Sequence, residues 1–193
     1  VGWLTLSAGM AAGADVILIP EIPYDIQKIA NAISERNDAG KMFSIIAVAE
    51  GANSSELVAF FERSRKLNRM VHHDESEESG AARMARIRKQ YNGQTFLLAN
   101  RLEELTQLET RVTILGYLLR GGAPSASDRV LATHLGTQAA DWLMEGQSGI
   151  MVAYRHGRAE PIALEEVTGQ QKPVPADHPW VIAARHVGTI FGD

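Results

Sequence analysis

The sequence predicts an α/β fold in which helices flank a parallel sheet. Two short apolar runs, 15–20 and 44–49, have the length and unbroken hydrophobicity that are typical of strands buried on both faces. Each run is followed by a predicted helix, the first over 25–37 and the second from Ser54 or Ser55 to about residue 70. Strands that alternate with helices in this rhythm form βαβ units, so we expect a parallel sheet.

The first predicted elements have clear local signals. Residues 4–12 are small or apolar on most sides, which predicts a buried helix that ends at Gly13. Asp25 is the expected N-cap of the next helix, whose apolar positions recur at helical spacing: Ile26, Ile29, Ala30 and Ile33. The chain opens with Val1 rather than Met and leads straight into the first helix, so we expect a fragment or a domain cut from a longer protein.

The second half is predicted to continue after a polar interruption. Residues 66–93 are rich in Glu, Ser, Arg and Lys, which indicates a surface excursion. The further predicted elements are, in order, a leucine-rich helix over 96–108, a buried strand over 112–115 with Arg111 at its start, a helix over 125–145, a hairpin of 149–154 and 159–164 around Gly157, and a short helix ending near Phe191.

Composition excludes several classes of protein. The 193 residues are 45% hydrophobic and 22% charged, which is ordinary for a globular domain. The net charge of −4 argues against a general nucleic-acid surface. The chain has no cysteine, which excludes disulfides and cysteine-based metal sites. Its apolar runs are too short to cross a bilayer and no signal peptide is visible, so we expect a cytoplasmic protein that binds neither membrane nor nucleic acid.

The most informative run is 109–129, with the sequence ETRVTILGYLLRGGAPSASDR. It places Arg111, Tyr117 and Arg120 around a predicted strand-to-helix turn that contains two adjacent glycines. Guanidinium groups offer a rigid fork of donors to a phosphate, and a glycine turn lets backbone N–H groups approach an anion. From the residues alone, a salt bridge between Arg111 and a carboxylate such as Glu109 remains an alternative. Ser125 indicates a helix cap rather than a ligand.

This run resembles the phosphofructokinase family, whose second half carries E-T-R-x-T-x-L-G-[HY]-x-x-R-G-G-x-P-x-x-x-D-R. Residues 2–6, 13–21 and 40–51 resemble the same family in the same order, so the likeness extends over most of the chain. The resemblance implies that residues 1–193 form a phosphofructokinase-like acceptor domain. This domain is the C-terminal part of the enzyme, which binds fructose 6-phosphate.

The resemblance also implies roles for four residues. Arg111, Tyr117 and Arg120 would bind the 6-phosphate of fructose 6-phosphate, with Arg111 reaching in from a neighbouring subunit of a homodimer or homotetramer. Many family members have histidine in place of Tyr117, whose phenol stays uncharged near neutral pH. Glu50, which ends the second predicted strand, would orient the fructose ring. On pattern alone, Glu50 is also consistent with a capping or solvent-facing carboxylate, Tyr117 with a plug at the sheet end, and Arg120 with a solvated charge.

Asp15 and Lys41 match positions that line an effector pocket in bacterial allosteric relatives of the same family. Ala39 stands where that pocket has a basic residue, and exposed acidic and basic side chains are usually surface charge. Effector binding by Asp15 and Lys41 is therefore one hypothesis beside an ordinary surface role. We interpret the run His72–Glu75 as a solvated loop, because neighbouring loop residues are rarely preorganised as metal ligands.

The donor side of the reaction has no counterpart in the chain. Phosphoryl transfer needs a phosphoryl donor, Mg²⁺ and a group that positions the attacking hydroxyl. By resemblance these lie in the first half of the family, in a glycine-rich loop and in G-G-D-G-S and T-I-D-N-D segments. We therefore expect no catalytic residue and no metal ligand here, and no activity from this fragment alone. ATP is favoured over pyrophosphate as the donor.

Two other interpretations remain at this stage. The longer protein could be a non-catalytic, sugar-phosphate-binding regulatory subunit of the same family, which an intact donor loop upstream would exclude. An unrelated sugar-phosphate isomerase or nucleotide-binding module would explain the strand–helix rhythm but not the detailed match over 109–129. The resemblance favours a 6-phosphofructokinase, which phosphorylates the 1-hydroxyl of fructose 6-phosphate to give fructose 1,6-bisphosphate.

Overall fold

The computed structural model describes residues 2–59, 62–63 and 94–193. The chain divides into two compact units. The first unit combines Val1–Thr113 with Pro173–Asp193, and the second unit is Ile114–Lys172. The predicted excursion over 66–93 lies outside the described residues, as does His72–Glu75.

The elements of the described residues confirm the predicted α/β class. In chain order they are α1 (Trp3–Ala12), β1 (Val16–Leu18), α2 (Ile26–Asp38), β2 (Ile46–Val48), α3 (Gln94–Thr106), α4 (Gly116–Arg120), α5 (Ala126–Met144), β3 (Ile150–Arg155), β4 (Arg158–Ala163), α6 (Leu164–Val167) and α7 (Pro179–His186). Residues 55–59 are also helical, directly after β2 and its exit loop.

The first unit is built on a βαβ arrangement. Strands β1 and β2 pair in parallel, with Val16 opposite Ile46 and Leu18 opposite Val48, and α2 connects them. Ile190 adds a parallel bridge on Val16, so a segment from the far end of the chain lies beside β1. All three residues of β1 are buried, which agrees with the unbroken apolar run that predicted an interior strand.

The sheet separates two apolar cores. Val16 and Leu18 point to one face and pack with residues of α2 and α3, among them Ile29 and Leu102. The alternate residues Ile17 and Ile19 point to the other face and pack with two groups of side chains, from α1 and from the segment around α7: Leu6, Val181, Ala184 and Phe191. This alternation follows from the two-residue period of a strand. Each fully buried side chain of this size stabilises the fold by about 1.5–3 kcal/mol.

Helix α1 lies very close to the sheet, and Gly9 makes the approach possible. A Cβ atom at Gly9 would lie 2.9 Å from the side chain of Ile17 and 3.1 Å from the Cβ of Ala47. The helix ends at Gly13, which adopts the left-handed conformation with φ 66° and donates its N–H to Met10. The predicted helix and its glycine stop are thereby confirmed.

Capping bonds set the start of two other predicted helices. The Oδ1 of Asp25 accepts a 2.8 Å hydrogen bond from the N–H of Gln27, so that Asp25 caps α2 as expected. In the second unit, the Oγ of Ser125 accepts from the N–H of Asp128, and the Asp128 carboxylate accepts from the N–H of Ser125. This reciprocal pair is a capping box, and it holds the first turn of α5.

The second unit contains the predicted hairpin with α5 packed on it. Strands β3 and β4 are antiparallel, from the pair Ile150–Ala163 to the pair Arg155–Arg158, and Gly157 lies in the turn with φ 82°. The ring of His134 on α5 makes a T-shaped contact with the Tyr154 ring, with 5.7 Å between the centroids.

The predicted buried strand over 112–115 is wrong. Residues 111–115 have no regular secondary structure, and the side chains of Ile114 and Leu115 are 70% and 45% exposed. A β-branched apolar run forms a strand only where another strand pairs with it. No strand among the described residues pairs with this run.

Candidate functional site

The carboxyl edge of the parallel sheet in the first unit carries two glutamates. Strands β1 and β2 end at Leu18 and Val48, and each is followed within three residues by a carboxylate, Glu21 or Glu50. This is the edge at which open α/β sheets bind ligands. The two carboxylates nevertheless differ in their surroundings, and the difference separates a structural group from a candidate binding group.

Glu21 links two distant segments of the first unit by hydrogen bonds. Its Oε1 accepts the N–H of Gly2 at 2.9 Å and the N–H of Val174 at 3.1 Å, and its Oε2 lies 3.1 Å from the same Gly2 nitrogen. Partial burial raises the pKa of this carboxyl, but the hydrogen bonds from Gly2 and Val174 outweigh burial, and the net pKa is lowered. We assign Glu21 a structural role, which its position after Pro20 in the sequence does not reveal.

Glu50 is exposed and makes no hydrogen bond or ion pair with any residue in the described ranges. Its turn is tight against the end of β1, because a Cβ on the neighbouring Gly51 would lie 3.2 Å from the Cγ of Pro20. The backbone thus places the carboxylate at the sheet edge while leaving its oxygens available. Such a group can accept hydrogen bonds from sugar hydroxyls.

Arg111 does not lie in a strand but in an exposed segment of the first unit without regular secondary structure. Its Nε donates to the Oε1 of Glu109 at 3.0 Å, and the two side chains are 83% and 71% exposed. This contact raises the pKa of Arg111 and lowers the pKa of Glu109. The salt bridge considered from sequence is therefore present. Arg111 makes this salt bridge through Nε. Its two terminal guanidinium nitrogens make no hydrogen bond within the described part of the chain.

Tyr117 and Arg120 lie on α4 in the second unit, not in a loop after a strand. They are three residues apart on one helical turn, and the Tyr117 side chain is 91% exposed. The Nη1 of Arg120 donates to the carbonyl of Gly116 at 3.3 Å, which folds the guanidinium back along its own helix. The glycine pair Gly121 and Gly122 follows directly.

The four predicted substrate-binding residues thus belong to different units. Glu50 and Arg111 are in the first unit, and Tyr117 and Arg120 are in the second. Within its own unit, α4 brings Tyr117 and Arg120 together. Arg111 pairs with Glu109 and not with Glu50.

Of the two predicted effector residues, Asp15 contacts other residues of the fold and Lys41 is exposed. Asp15 forms an ion pair with Arg36 at 2.6 Å, and its Oδ2 accepts the N–H of Ile45 at 2.8 Å. The Nε of Arg36 also donates to the Oγ of Ser44 at 3.2 Å. Lys41 is exposed.

The Asp15 carboxylate is therefore engaged within the fold, since one oxygen takes a guanidinium and the other takes a backbone N–H. A cavity of about 250 Å³ lies beside the ion pair, lined by Asp15, Arg36, the end of α1, Ala184 and residues 187–189. Arg36 is a residue that sequence reasoning missed, because nothing in the last turn of α2 signals a partner on a different element.

A metal site is not assembled by the residues in 2–59, 62–63 and 94–193. They contain no group of three or more histidine, cysteine, aspartate or glutamate side chains that could hold an ion. In the same ranges, no helix is both long enough and apolar enough to cross a membrane.

Comparison with known proteins agrees with the sequence motifs and the fold. The family model described as Phosphofructokinase matches residues 1–143. The ATP-dependent 6-phosphofructokinase of Propionibacterium freudenreichii is 49% identical over 192 residues, covering 100% of this chain and 52% of that protein. The enzyme of the same name from Spirochaeta thermophila is 46% identical over 192 residues, covering 100% of this chain and 48% of the relative.

A solved structure is also similar. The crystal structure of a pyrophosphate-dependent phosphofructokinase from Marinobacter aquaeolei matches 91% of this chain and 39% of its own, with a TM-score of 0.63 and 20% identity. At that identity the likeness concerns the fold alone. The chain spans about half the length of the curated relatives it matches. Since the family model covers most of its residues, the chain belongs to the phosphofructokinase family.

Proposed function

We propose that the longer protein is an ATP-dependent 6-phosphofructokinase, and that this chain supplies its acceptor-binding residues. The reaction transfers the γ-phosphoryl group of ATP to the 1-hydroxyl of fructose 6-phosphate, a step of glycolysis. The observation that carries the proposal is the identity of 46–49%, over the whole chain, to relatives named ATP-dependent 6-phosphofructokinase. ATP is the proposed donor because these relatives are named for it, whereas the pyrophosphate-dependent neighbour is only 20% identical.

The acceptor phosphate would be held by Arg111, Tyr117 and Arg120. A sugar phosphate is a dianion near neutral pH, and guanidinium groups bind such oxygens through charge-assisted, often bidentate hydrogen bonds. The outer nitrogens of Arg111 remain available beside its contact with Glu109. The phenol of Tyr117 donates one hydrogen bond without a charge of its own, so phosphate binding at this position would not depend on protonation of a histidine.

Glu50 would orient the sugar. Its carboxylate is exposed at the carboxyl edge of the sheet and has no partner among the described residues, so it is available to accept from ring hydroxyls. Orienting the sugar lowers the barrier by placing the 1-hydroxyl for in-line attack, which is a positioning effect rather than proton transfer. We expect the group that accepts the proton of that hydroxyl to lie in the part of the protein outside this chain.

The donor and its Mg²⁺ would be bound by the part of the protein outside this chain. The described residues offer no carboxylate cluster that fits a metal ion. When bound there, Mg²⁺ would neutralise negative charge that develops during phosphoryl transfer. We further propose a cytoplasmic homodimer or homotetramer, in which Arg111 serves a neighbouring subunit. Effector binding by Asp15 and Lys41 stays a hypothesis beside an ordinary surface role, and an effector at Asp15 would have to displace its contacts with Arg36 or Ile45.

The test is the variant Arg120→Ala in the longer protein. A lost charge-assisted hydrogen bond to phosphate is worth about 1.5–3 kcal/mol, so we expect the KM for fructose 6-phosphate to rise about 10- to 150-fold. The KM for ATP should stay nearly constant. Arg155→Ala is the matched control, since Arg155 is an exposed arginine at the end of β3 in the same unit.

Three outcomes would count against the proposal. An unchanged KM for fructose 6-phosphate in Arg120→Ala would remove Arg120 from the site. Turnover with pyrophosphate but not ATP would overturn the donor assignment. Binding of fructose 6-phosphate by the wild-type protein without turnover on either donor would identify a regulatory subunit instead of an enzyme.

A further inference from the structure

The segment that carries Arg111 has no regular structure to hold it. Residues 107–115 lie between α3 and α4 and belong to no helix or strand. The start of the segment is anchored, since Gln107 donates its N–H to the carbonyl of Glu103 and Leu108 packs against a core of the first unit. Beyond Leu108, a residue that binds a phosphate needs a further contact to fix its position.

One hydrogen bond supplies this contact. The Oε2 of Glu103 on α3 accepts the N–H of Thr110, the residue directly before Arg111, at 3.2 Å. Within the described residues, no other backbone N–H or carbonyl of 109–113 hydrogen-bonds a different element. Because consecutive Cα atoms are about 3.8 Å apart, fixing the N–H of Thr110 restricts the place from which the Arg111 side chain extends.

Glu103 is not explained by the stability of its own helix. It lies in the last turn of α3 together with Glu104, and this turn has no basic residue. The C-terminus of a helix carries partial negative charge, so a carboxylate there is unfavourable. Glu104 pairs with Arg101, whereas the side chain of Glu103 contacts only the N–H of Thr110 by hydrogen bond or ion pair in the described part of the chain.

We propose that Glu103 positions Arg111 for the acceptor phosphate by holding the N–H of Thr110. This inference rests on the proposed function, because it takes Arg111 as a ligand of the phosphate. Glu103 is a positioning residue, since it acts on the substrate only through the backbone before Arg111. A guanidinium binds phosphate through a rigid fork of donors, so a displaced backbone weakens binding even where the side chain is intact.

The variant Glu103→Ala in the longer protein tests the proposal. We expect the KM for fructose 6-phosphate to rise about three- to tenfold, which corresponds to the loss of one hydrogen bond. The kcat should change less than about twofold, because the phosphate contact is the same before and during transfer. Glu103→Gln keeps an oxygen that can accept the N–H and should restore the wild-type KM. Glu104→Ala is the matched control, since Glu104 is the neighbouring exposed glutamate and its side chain contacts Arg101 instead of the segment.

A double variant shows whether Glu103 acts through Arg111. Arg111→Ala alone should raise the KM for fructose 6-phosphate, and adding Glu103→Ala should raise it no further, because the group that Glu103 positions is already absent. Two rises that multiply would overturn the proposal. An unchanged KM in Glu103→Ala, with a raised KM in Arg111→Ala, would also overturn it and leave the proposed function intact. An unchanged KM in Arg111→Ala would instead refute the role of Arg111 in the proposed function, and this inference with it.

Hydrogen exchange and direct binding complete the test without an activity assay. The amide of Thr110 should exchange faster in Glu103→Ala than in wild type, whereas Glu103→Gln and Glu104→Ala should stay close to wild type. The dissociation constant of fructose 6-phosphate should follow the same order. Wild-type exchange at Thr110 in Glu103→Ala would overturn the proposal. A melting temperature of Glu103→Ala well below that of Glu104→Ala would also overturn it, because Glu103 would then serve the stability of the unit.

Discussion

Replacing Glu21 with glutamine should loosen the first unit by an amount that the hydrogen-bond geometry sets. The carboxylate accepts the N–H groups of Gly2 and Val174 on one oxygen, at 2.9 and 3.1 Å. A hydrogen bond to a charged acceptor contributes about 1.5–3 kcal/mol and a neutral one about 0.5–1.5 kcal/mol. Glutamine can keep both bonds as neutral ones, so the loss is about 1 kcal/mol for each bond.

The second carboxylate oxygen of Glu21, Oε2, adds to this loss of stability. In Glu21→Gln, the amide nitrogen would replace the Oε2 atom, which lies 3.1 Å from the Gly2 nitrogen, so that two donors would face each other. Glu21 is only partly buried, and water offsets some of the effect. We therefore expect Glu21→Gln to lower the free energy of unfolding of the first unit by about 1–3 kcal/mol at neutral pH.

Native-state hydrogen exchange of the longer protein is the measurement, read at peptides that contain Gly2 and Val174. Glu50→Gln is the matched control, because Glu50 ends the neighbouring strand and has no partner in the described residues. Glu50→Gln should leave this exchange unchanged. Equal exchange in wild type and Glu21→Gln would refute the reasoning, since the two N–H groups would then not depend on the carboxylate.

The pH dependence of the difference follows from the lowered pKa of Glu21. The pKa of Glu21 in the folded protein lies below the ordinary value of 4.5, so the carboxyl of the unfolded chain takes up a proton first as the pH falls. The stabilisation by ionised Glu21 is complete above pH 4.5 and is lost as the pH falls through the pKa of Glu21 in the folded protein. The gap between wild type and Glu21→Gln should therefore shrink below pH 4.5, and a gap that is constant down to pH 3 would exclude an ionised Glu21 as its cause.

Three further changes test the described contacts. Ser125→Ala should cost about 1 kcal/mol by removing the cap of α5, seen as faster amide exchange in its first turn, whereas Ser127→Ala at the next exposed serine should not. Gly9→Val should lower stability by about 1–3 kcal/mol through overpacking against the sheet, and a melting temperature equal to wild type would disprove the close approach. Arg36→Ala should cost about 1 kcal/mol, because Asp15 keeps its backbone bond but loses its ion pair, and high salt should shrink this difference.

Much of the first unit could be predicted because its signals are local. The stop of α1 at Gly13 and the start of α2 at Asp25 each depend on residues within one turn. The unbroken apolar run of β1 needs only a buried position, and its three residues are all buried. In the second unit, Ser125 similarly sets the start of α5 through the residue three positions later.

The failures concern contacts between distant residues. Val112–Leu115 has strand-like composition, but a strand also needs a partner, and composition does not reveal one. Glu21 binds the N–H of a residue 153 positions away, and Arg36 binds Asp15 on a different element. Pairings of this kind are set by the packing of whole elements, which single-sequence patterns do not specify.

The local structure around the candidate site residues was predicted only in part. Glu50 follows the second strand as expected, and its exposure agrees with a binding role. Tyr117 and Arg120 are on a short helix rather than in a loop, because the apolar run before them ends without forming a strand. Arg111 forms the contact with Glu109 that the residues alone allowed. The roles of these residues in binding the sugar phosphate stay predictions.

The bridge between Val16 and Ile190 determines when the first unit can fold during synthesis. Ile17 donates its N–H to the carbonyl of Ile190, and Phe191 is fully buried, so β1 is completed only when a segment much later in the chain has been made. About 170 residues separate the two, which at 5–20 residues per second is a delay of about 10–35 s. Throughout that time one edge of β1 and its apolar face stay open to other chains. An unpaired strand edge is a template for pairing with other chains, so this interval is the time at which association of nascent chains through β1 would begin.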